Sequence, residues 1–326
     1  MTRTYKDISP VLISRFGDRE ETVRLEVWAT YLILLRQTTL YGGLPENKED
    51  VSRGKRKRDI EDTMDLEETP YTLLKSQVPT LMKALLNQLK APKNSPAVLQ
   101  SGFNLLTELL TVLPGSLSTQ VPLIVSTSAT VLAQSPTTST STLHLTCLSF
   151  LALFLSTHPP SVLQDSLPSL TPILLQSLAD RHPRIASETF RVFSALLIAI
   201  KPLKANGWTV ALYDQALARL SNHDTDAEVR ARAEDCMADI WISATEVASS
   251  KDRKEWEFIC KTTGKTENAV KVITKVAKEV QLGDDWVNGC IAWLMALLRK
   301  SGRVGKVEVF CALEVLLKRQ VLRRLL

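Results

Sequence analysis

Along this chain, stretches in which Leu, Val, Ile and Phe recur every three or four positions alternate with short polar turns, and each turn is followed by a Val, Leu or Ile that opens a new apolar stretch. Turns at 17–22, 93–96, 135–140, 180–184, 224–226, 264–268 and 300–303 precede Val23, Leu99, Leu143, Ile185, Val229, Val270 and Val304. From Leu99 onward these openings lie 44, 42, 44, 41 and 34 residues apart, whereas Val23 and Leu99 are 76 apart. Apolar spacing of three to four residues predicts amphipathic helices, and two helices with their turns fill about forty residues. The long interval is one such unit plus roughly thirty extra residues.

A helix pair repeated at this period predicts an all-α fold, a HEAT/armadillo-type α-solenoid, because tetratricopeptide and ankyrin units are shorter. Residues 8–41 read as the first pair, with Val11, Leu12, Ile13 and Phe16 closing one helix and Val23, Val27, Tyr31, Leu34 and Leu35 marking a face of the next. Gly42 and Gly43 stop it. Apolar residues nearly vanish from 44 to 69, and order resumes where Pro70 suits a first helical turn. The predicted organisation is a HEAT-like repeat at 1–43, a charged flexible insertion at 44–69 and about six further repeats at 70–326. Pro114, Pro122, Pro159, Pro160, Pro168, Pro172 and Pro202 fall where helices start, stop or kink. The last helix, read as 307–326, carries no polar capping unit, so the solenoid is expected to continue in missing sequence or in another chain.

Composition agrees with a large helical core: 44% of the 326 residues are apolar, 23% are charged and only 12 are Gly. Forty basic and 35 acidic side chains leave a net charge of +5, too diffuse to attract nucleic acid or anionic lipid, so neither is an expected partner. Cys147, Cys236, Cys260, Cys290 and Cys311 are odd in number and far apart, and four lie in apolar runs; they read as buried thiols of a reducing compartment. Neither a signal peptide nor a membrane span is legible, since the longest apolar run, 143–155, is far shorter than the roughly twenty residues a span needs. A nuclear and cytoplasmic location is expected.

No constellation for catalysis, cofactor or metal stands out, and the chain is read as a non-enzyme. The Gly264-Lys265-Thr266 triplet lacks the earlier glycine and the strand of a phosphate-binding loop. His144 and Cys147 share a helix face, but Leu143, Leu145, Leu148 and Phe150 around them assign both to the core. His158, His182 and His223 stand in turns and read as surface or capping residues. Asp180, Asp224 and Asp226 precede helices, where a carboxylate caps free amides, and Arg24, Arg191 and Arg230 near helix starts read as ties between neighbouring turns. The six Trp residues are spread over separate units and read mostly as core. The sharpest local signal is the basic run Arg53, Lys55, Arg56, Lys57 and Arg58, which fits a nuclear-import sequence, a nucleic-acid contact or a solvated loop neutralised by the acids that follow.

Several segments resemble one family. Residues 8–38 (ISPVLISRFGDREETVRLEVWATYLILLRQT), 68–90, 103–117 (FNLLTELLTVLPGSL), 184–202 (RIASETFRVFSALLIAIKP), 226–237 (DAEVRARAEDCM) and 296–318 are similar to the cullin-associated, neddylation-dissociated (Cand) family, in the order of one stretch of its first half. Similarity is weak over 249–289, the basic insertion is unlike the family pattern, and the last eight residues diverge.

The resemblance implies a non-catalytic scaffold that wraps an unneddylated cullin and its RING subunit and regulates assembly and substrate-receptor exchange of cullin–RING (SCF) ubiquitin ligases. Exchange follows when two ligands with overlapping or mutually straining sites weaken one another. At about forty residues per unit the chain amounts to about a quarter of a typical family member. It is therefore expected to be a fragment, a truncated gene model or one half of a divided protein, completed by a second Cand-like chain and weak on its own. A HEAT-repeat nuclear transport carrier and a phosphatase scaffold are the alternative readings, since one architecture serves many functions.

Overall fold

A computed structural model describes residues 2–41, 69–90, 94–134, 137, 140–204, 206–244, 266–280 and 283–325. Among these residues there are helices and no strands. The first pair is α1 (Thr2–Ser14) and α2 (Glu21–Tyr41), the second α3 (Pro70–Leu89) and α4 (Pro96–Val112), and the third α5 (Val121–Leu132) and α6 (Ser141–Thr157). In the fourth pair the first helix is broken into α7 (Pro160–Leu163), a single 3-10 turn and α8 (Leu167–Leu178), followed by α9 (Pro183–Ile200). Then come α10 (Gly207–Ser221) with α11 (Ala227–Ser243), α12 (Thr266–Glu279), and the pair α13 (Asp284–Lys300) and α14 (Arg303–Leu325).

Local chemistry explains where many of these helices begin. Thr69 caps α3 in a reciprocal box with Thr72, and Pro70 occupies the first turn, where a missing N–H costs nothing. Ser95 accepts from the Val98 amide to start α4, Asn206 and Thr209 form a second box at α10, and Asp226 accepts from the Glu228 amide to start α11. Pro96, Pro122, Pro160, Pro168 and Pro183 also sit in first turns, whereas Pro10, Pro79 and Pro172 lie inside helices.

The second helices form one continuous row, α2 on α4 on α6 on α9 on α11 on α12 on α14. The first helices form a looser row, with α1 on α3 and α5 on α8 on α10. Because the second helices approach one another more closely, they lie on the inside of the solenoid's curve, and the first helices lie on the outside. Between the rows runs the core. Phe103 of α4 meets Phe150 of α6 at 5.4 Å between ring centroids, and Phe150 meets Phe154 at 5.8 Å. In the first pair Phe16 packs edge-on against Tyr31 at 5.3 Å and against Trp28 at 5.8 Å.

Polar ties between units carry the period in their sequence separation. Ser187 donates to Glu228, 41 residues on, at 3.1 Å, and Arg219 donates to the Leu178 carbonyl, 41 residues back, at 2.8 Å. Before α5, Arg36 donates to Glu108 across 72 residues and Ser95 to Glu21 across 74, spanning residues 42–68, outside those described.

Several expectations are corrected here. The first helix starts at Thr2, not residue 8, and the last at Arg303, not 307. Val11 is 61% and Val23 38% exposed; the buried faces are Tyr5, Ser9 and Ile13 on α1 and Trp28, Tyr31, Leu35 and Thr38 on α2. Val11 lies roughly 160° around α1 from Ile13, and Val23 roughly 140° around α2 from Trp28, at 100° per residue. Cys147, Cys236 and Cys290 are buried, but Cys311 on α14 is exposed, and Cys260 lies outside the described residues.

Candidate partner-binding groove on the inner face

Among the described residues, a groove on the inner row crosses four successive units. Its volume is about 390 Å³, and every lining residue comes from a second helix. From α4 come Asn104 and Thr107, from α6 Thr142, Leu145, Thr146 and Ser149, from α9 Arg184 and Glu188, and from α11 Glu228. On α4, α6 and α9 they fall at helical spacing (104/107, 142/145/146/149 and 184/188), so they share the face turned away from the core.

The floor is made of short polar groups. Thr107 and Thr146 spend their hydroxyl protons on carbonyls one turn back, Phe103 at 2.8 Å and Thr142 at 2.9 Å, which leaves their oxygens able to accept. Glu188 pairs with Arg191 at 2.9 Å, and Glu228 accepts from Ser187. Arg184 stands in the first turn of α9, whose N-cap residue His182 makes no side-chain bond to the helix. Leu145 is the groove's one apolar lining residue, and no His or Cys lines it. Such a surface can exchange hydrogen bonds and charge with a partner, and it offers no nucleophile with an adjacent base. A larger hollow of about 490 Å³ lies between α1 and α3 on the outer row, lined by Pro10, Ile13, Gln77 and Ala84 among others.

Residues singled out from sequence fall elsewhere. His144 is buried with Nε2 at 2.8 Å from the Val131 carbonyl, and Cys147 is buried with Sγ 4.0 Å from the Ser128 carbonyl, its thiol pushed up to about 12 by burial. Both are core residues. His158, expected as a surface or capping residue, is buried and caps the end of α6: its ring lies 4.3 Å from Phe154, and Nδ1 is 2.7 Å from the Phe154 carbonyl. Burial holds its pKa below the usual imidazole value. Arg230 donates to the carbonyls of Asn222, His223 and Thr225 and so fastens its own turn, and Arg24 donates to the Asp18 carbonyl. Trp28, Trp241 and Trp286 are buried, while Trp208 and Trp293 pack partly against the core. The basic run Arg53, Lys55, Arg56, Lys57 and Arg58 lies outside the described residues, as do Trp256, Gly264 and Lys265. Among the described residues no group of three or more His, Cys, Asp and Glu is placed to hold a metal ion, and no helix is long and apolar enough to cross a membrane.

The groove residues carry no motif. Their only sequence signal is polar residues at helical spacing on the solvent side of each second helix, which reads as an ordinary solvated face.

A family model described as CAND1-like, TPR repeats, matches residues 115–237, which include the groove residues of α6, α9 and α11. The chain is 33% identical over 245 residues to Cullin-associated NEDD8-dissociated protein 1 of Drosophila melanogaster, covering 72% of this chain and 18% of that protein. It is 32% identical over 236 residues to Cullin-associated NEDD8-dissociated protein 2 of Mus musculus, covering 71% and 18%. The protein 1 of Arabidopsis thaliana is 30% identical over 243 residues, covering 73% and 18%. The chain thus matches less than a fifth of the length of these curated relatives. Among solved structures, an engineered protein superposes with a TM-score of 0.55 at 14% identity, covering 97% of this chain and 71% of that one. Yeast importin-beta superposes with a TM-score of 0.50 at 13% identity, covering 98% and 44%. At such identities the likeness is one of fold, a HEAT/armadillo-type solenoid.

Proposed function

From its standing as a Cand-type repeat scaffold, we infer that this chain binds an unneddylated cullin with its RING subunit and takes part in regulating assembly and receptor exchange of cullin–RING (SCF) ubiquitin ligases. The observation that carries the reading is the similarity to cullin-associated relatives across more than two thirds of the chain. The inner row supports it physically, because a curved face built from many side chains spreads a large contact over many weak interactions. The chain acts by occupancy, with no bond made or broken. As it matches only part of its relatives' length, we further propose that a second Cand-like chain contributes the remaining contacts.

Capture of purified cullin–RING complex by the tagged chain tests this, with unmodified and NEDD8-modified cullin compared side by side. Recovery of the unmodified form is expected, and equal recovery of both forms, or of neither, would sink the reading. We also place the chain in the nucleus and the cytoplasm, with Arg53, Lys55, Arg56, Lys57 and Arg58 as its import signal. Replacing all five by Ala in a fluorescent fusion should then empty the nucleus of signal, and an unchanged distribution would remove that role.

A further inference from the structure

An inner-row helix with a neighbour on either side turns one face back toward the unit before it and another forward toward the unit after it. Contacts mark the forward face. Ser187 of α9 donates forward to Glu228 of α11, and Glu234 of α11 pairs forward with Lys271 of α12 at 3.5 Å. Core positions fix the register of α14 against these helices: Phe193, Met237 and Leu313 are 44 and 76 residues apart, as are Leu196, Ile240 and Leu316, and all six are buried. At the same steps Phe190, Glu234 and Phe310 correspond, as do Leu197, Trp241 and Leu317.

These corresponding positions differ in burial. On α9 and α11 all four side chains are covered, whereas on α14 Phe310 is 57% and Leu317 48% exposed. Val307, in register with Ser187, is 61% exposed. At spacings of three and seven residues these apolar side chains share one helix face. The acid between them, Glu314, is paired along its own helix with Lys318 at 2.6 Å. Core contact on α14 comes from the opposite stripe, Val309, Ala312, Leu313 and Leu316, and the helix packs on α12 and α13. Among the described residues nothing covers the forward face. Large apolar side chains grouped in water mark a contact surface.

Charge reverses at the same place. Helices α2, α11 and α12 have an acid in the first turn, Glu21, Glu228 and Glu267, but α14 has none. The turn that leads into it carries exposed Arg299, Lys300, Arg303 and Lys306, and the first acid beyond them is half-buried Glu308. Successive inner helices run the same way, since Ser187 and Glu228 join early turns while Lys275 and Asp239 join late ones. Their opening turns therefore lie side by side, and a following unit that opens on an acid would complement this basic turn.

We propose that the forward face of α14 is the docking surface for the second Cand-like chain, which stacks a HEAT-type helix pair on Val307, Phe310 and Leu317 and sets an acidic opening turn against Arg303 and Lys306. The inference rests on the reading that such a chain supplies the remaining contacts, and it adds where and by what chemistry the two join.

The probe is the purified Cand-like polypeptide of the same organism that matches the curated relatives beyond the stretch matched here. It is titrated against the full chain by calorimetry, with light scattering for stoichiometry, and a one-to-one complex is expected. Phe310→Glu with Leu317→Glu should weaken the complex at least about thirtyfold. The circular-dichroism spectrum and Tm should stay unchanged, because both side chains already face water. Arg303→Glu with Lys306→Glu should weaken binding about tenfold and reduce its dependence on salt. Ile33→Glu, at a position 59% exposed on α2, should change nothing. A complex left intact by the Phe310 and Leu317 changes would overturn the docking face alone, and no complex up to about 100 µM would end the second-chain reading with it. Self-association of the chain that those changes abolish would assign the face to a second copy and overturn the proposal. Cullin capture is scored separately: a complex with the expected variant losses but no capture ends the cullin reading alone.

Discussion

The join between α6 and α9 and the join between α11 and α12 are both steps of the same inner row and share its apolar core, but the second adds ion pairs to that core. The first joins helices that each carry two fully buried phenylalanines, Phe150 and Phe154 on α6 and Phe190 and Phe193 on α9. The second sets Lys275 against Asp239 at 3.0 Å and Lys271 against Glu234 at 3.5 Å, with Lys275 also donating to the Asp235 carbonyl. Apolar contact is non-directional and does not depend on pH. Ion pairs with one buried member, as Asp239 and Glu234 are here, fix register through geometry but give back part of their attraction in lost hydration. The solenoid is therefore cemented in its middle and keyed toward its later units.

The largest effect should come from breaking the cement. Phe190→Ala deletes a ring with no solvent exposure and should cost about 4 kcal/mol in chemical denaturation. A loss below about 1 kcal/mol would mean that the seam refills the cavity. Next comes the key: Lys275→Met leaves the Asp239 carboxylate, 3% exposed, without its cation. Lys275 itself is 35% exposed, so water takes over part of its role and the expected loss is about 2 kcal/mol. Asp239→Asn keeps an acceptor for Lys275 and should cost much less.

The two regions should also differ in the sign of their pH response. Burial raises the carboxyl pKa of Asp239 and Glu234, with the lysines pulling the other way. A raised folded value means that the native state binds more protons, so their contribution is fullest below the ordinary carboxylate value of about 4 and is lost as pH rises through the folded value. Asp239→Asn should flatten that part of the stability curve. His158, at the end of the apolar seam, is lowered by burial, so its contribution is complete above the ordinary imidazole value of about 6.5 and is lost as pH falls toward the folded value. His158→Gln should remove that decline, an effect of under about 1 kcal/mol near pH 6. The smallest perturbation is thiol labelling: exposed Cys311 should react with maleimide in the native protein, whereas buried Cys147, Cys236 and Cys290 should react only on unfolding.

Helices and their period were legible because both are near-neighbour properties. Ser95, Asn206 and Asp226 announce helix starts within three residues, and the apolar positions Phe103, Leu106 and Leu110 follow one helical face. Burial at helix ends was less legible. His158 looks like a turn residue until Phe154, one helical turn earlier, provides the stacking surface. Cys311 sits in an apolar run, yet it lies off the face that carries Ala312, Leu313 and Leu316 into the core.

By itself, then, the sequence determined that the chain is a row of helix pairs, since 3.6-residue periodicity and capping act within single helices and the forty-residue period only repeats them. Only the tertiary structure decided which polar faces meet. Asn104, Thr142, Arg184 and Glu228 belong to four different helices, and each alone is an ordinary solvated position. Stacking at a fixed helix spacing turns their outward faces into one groove, and no local rule couples residues that far apart.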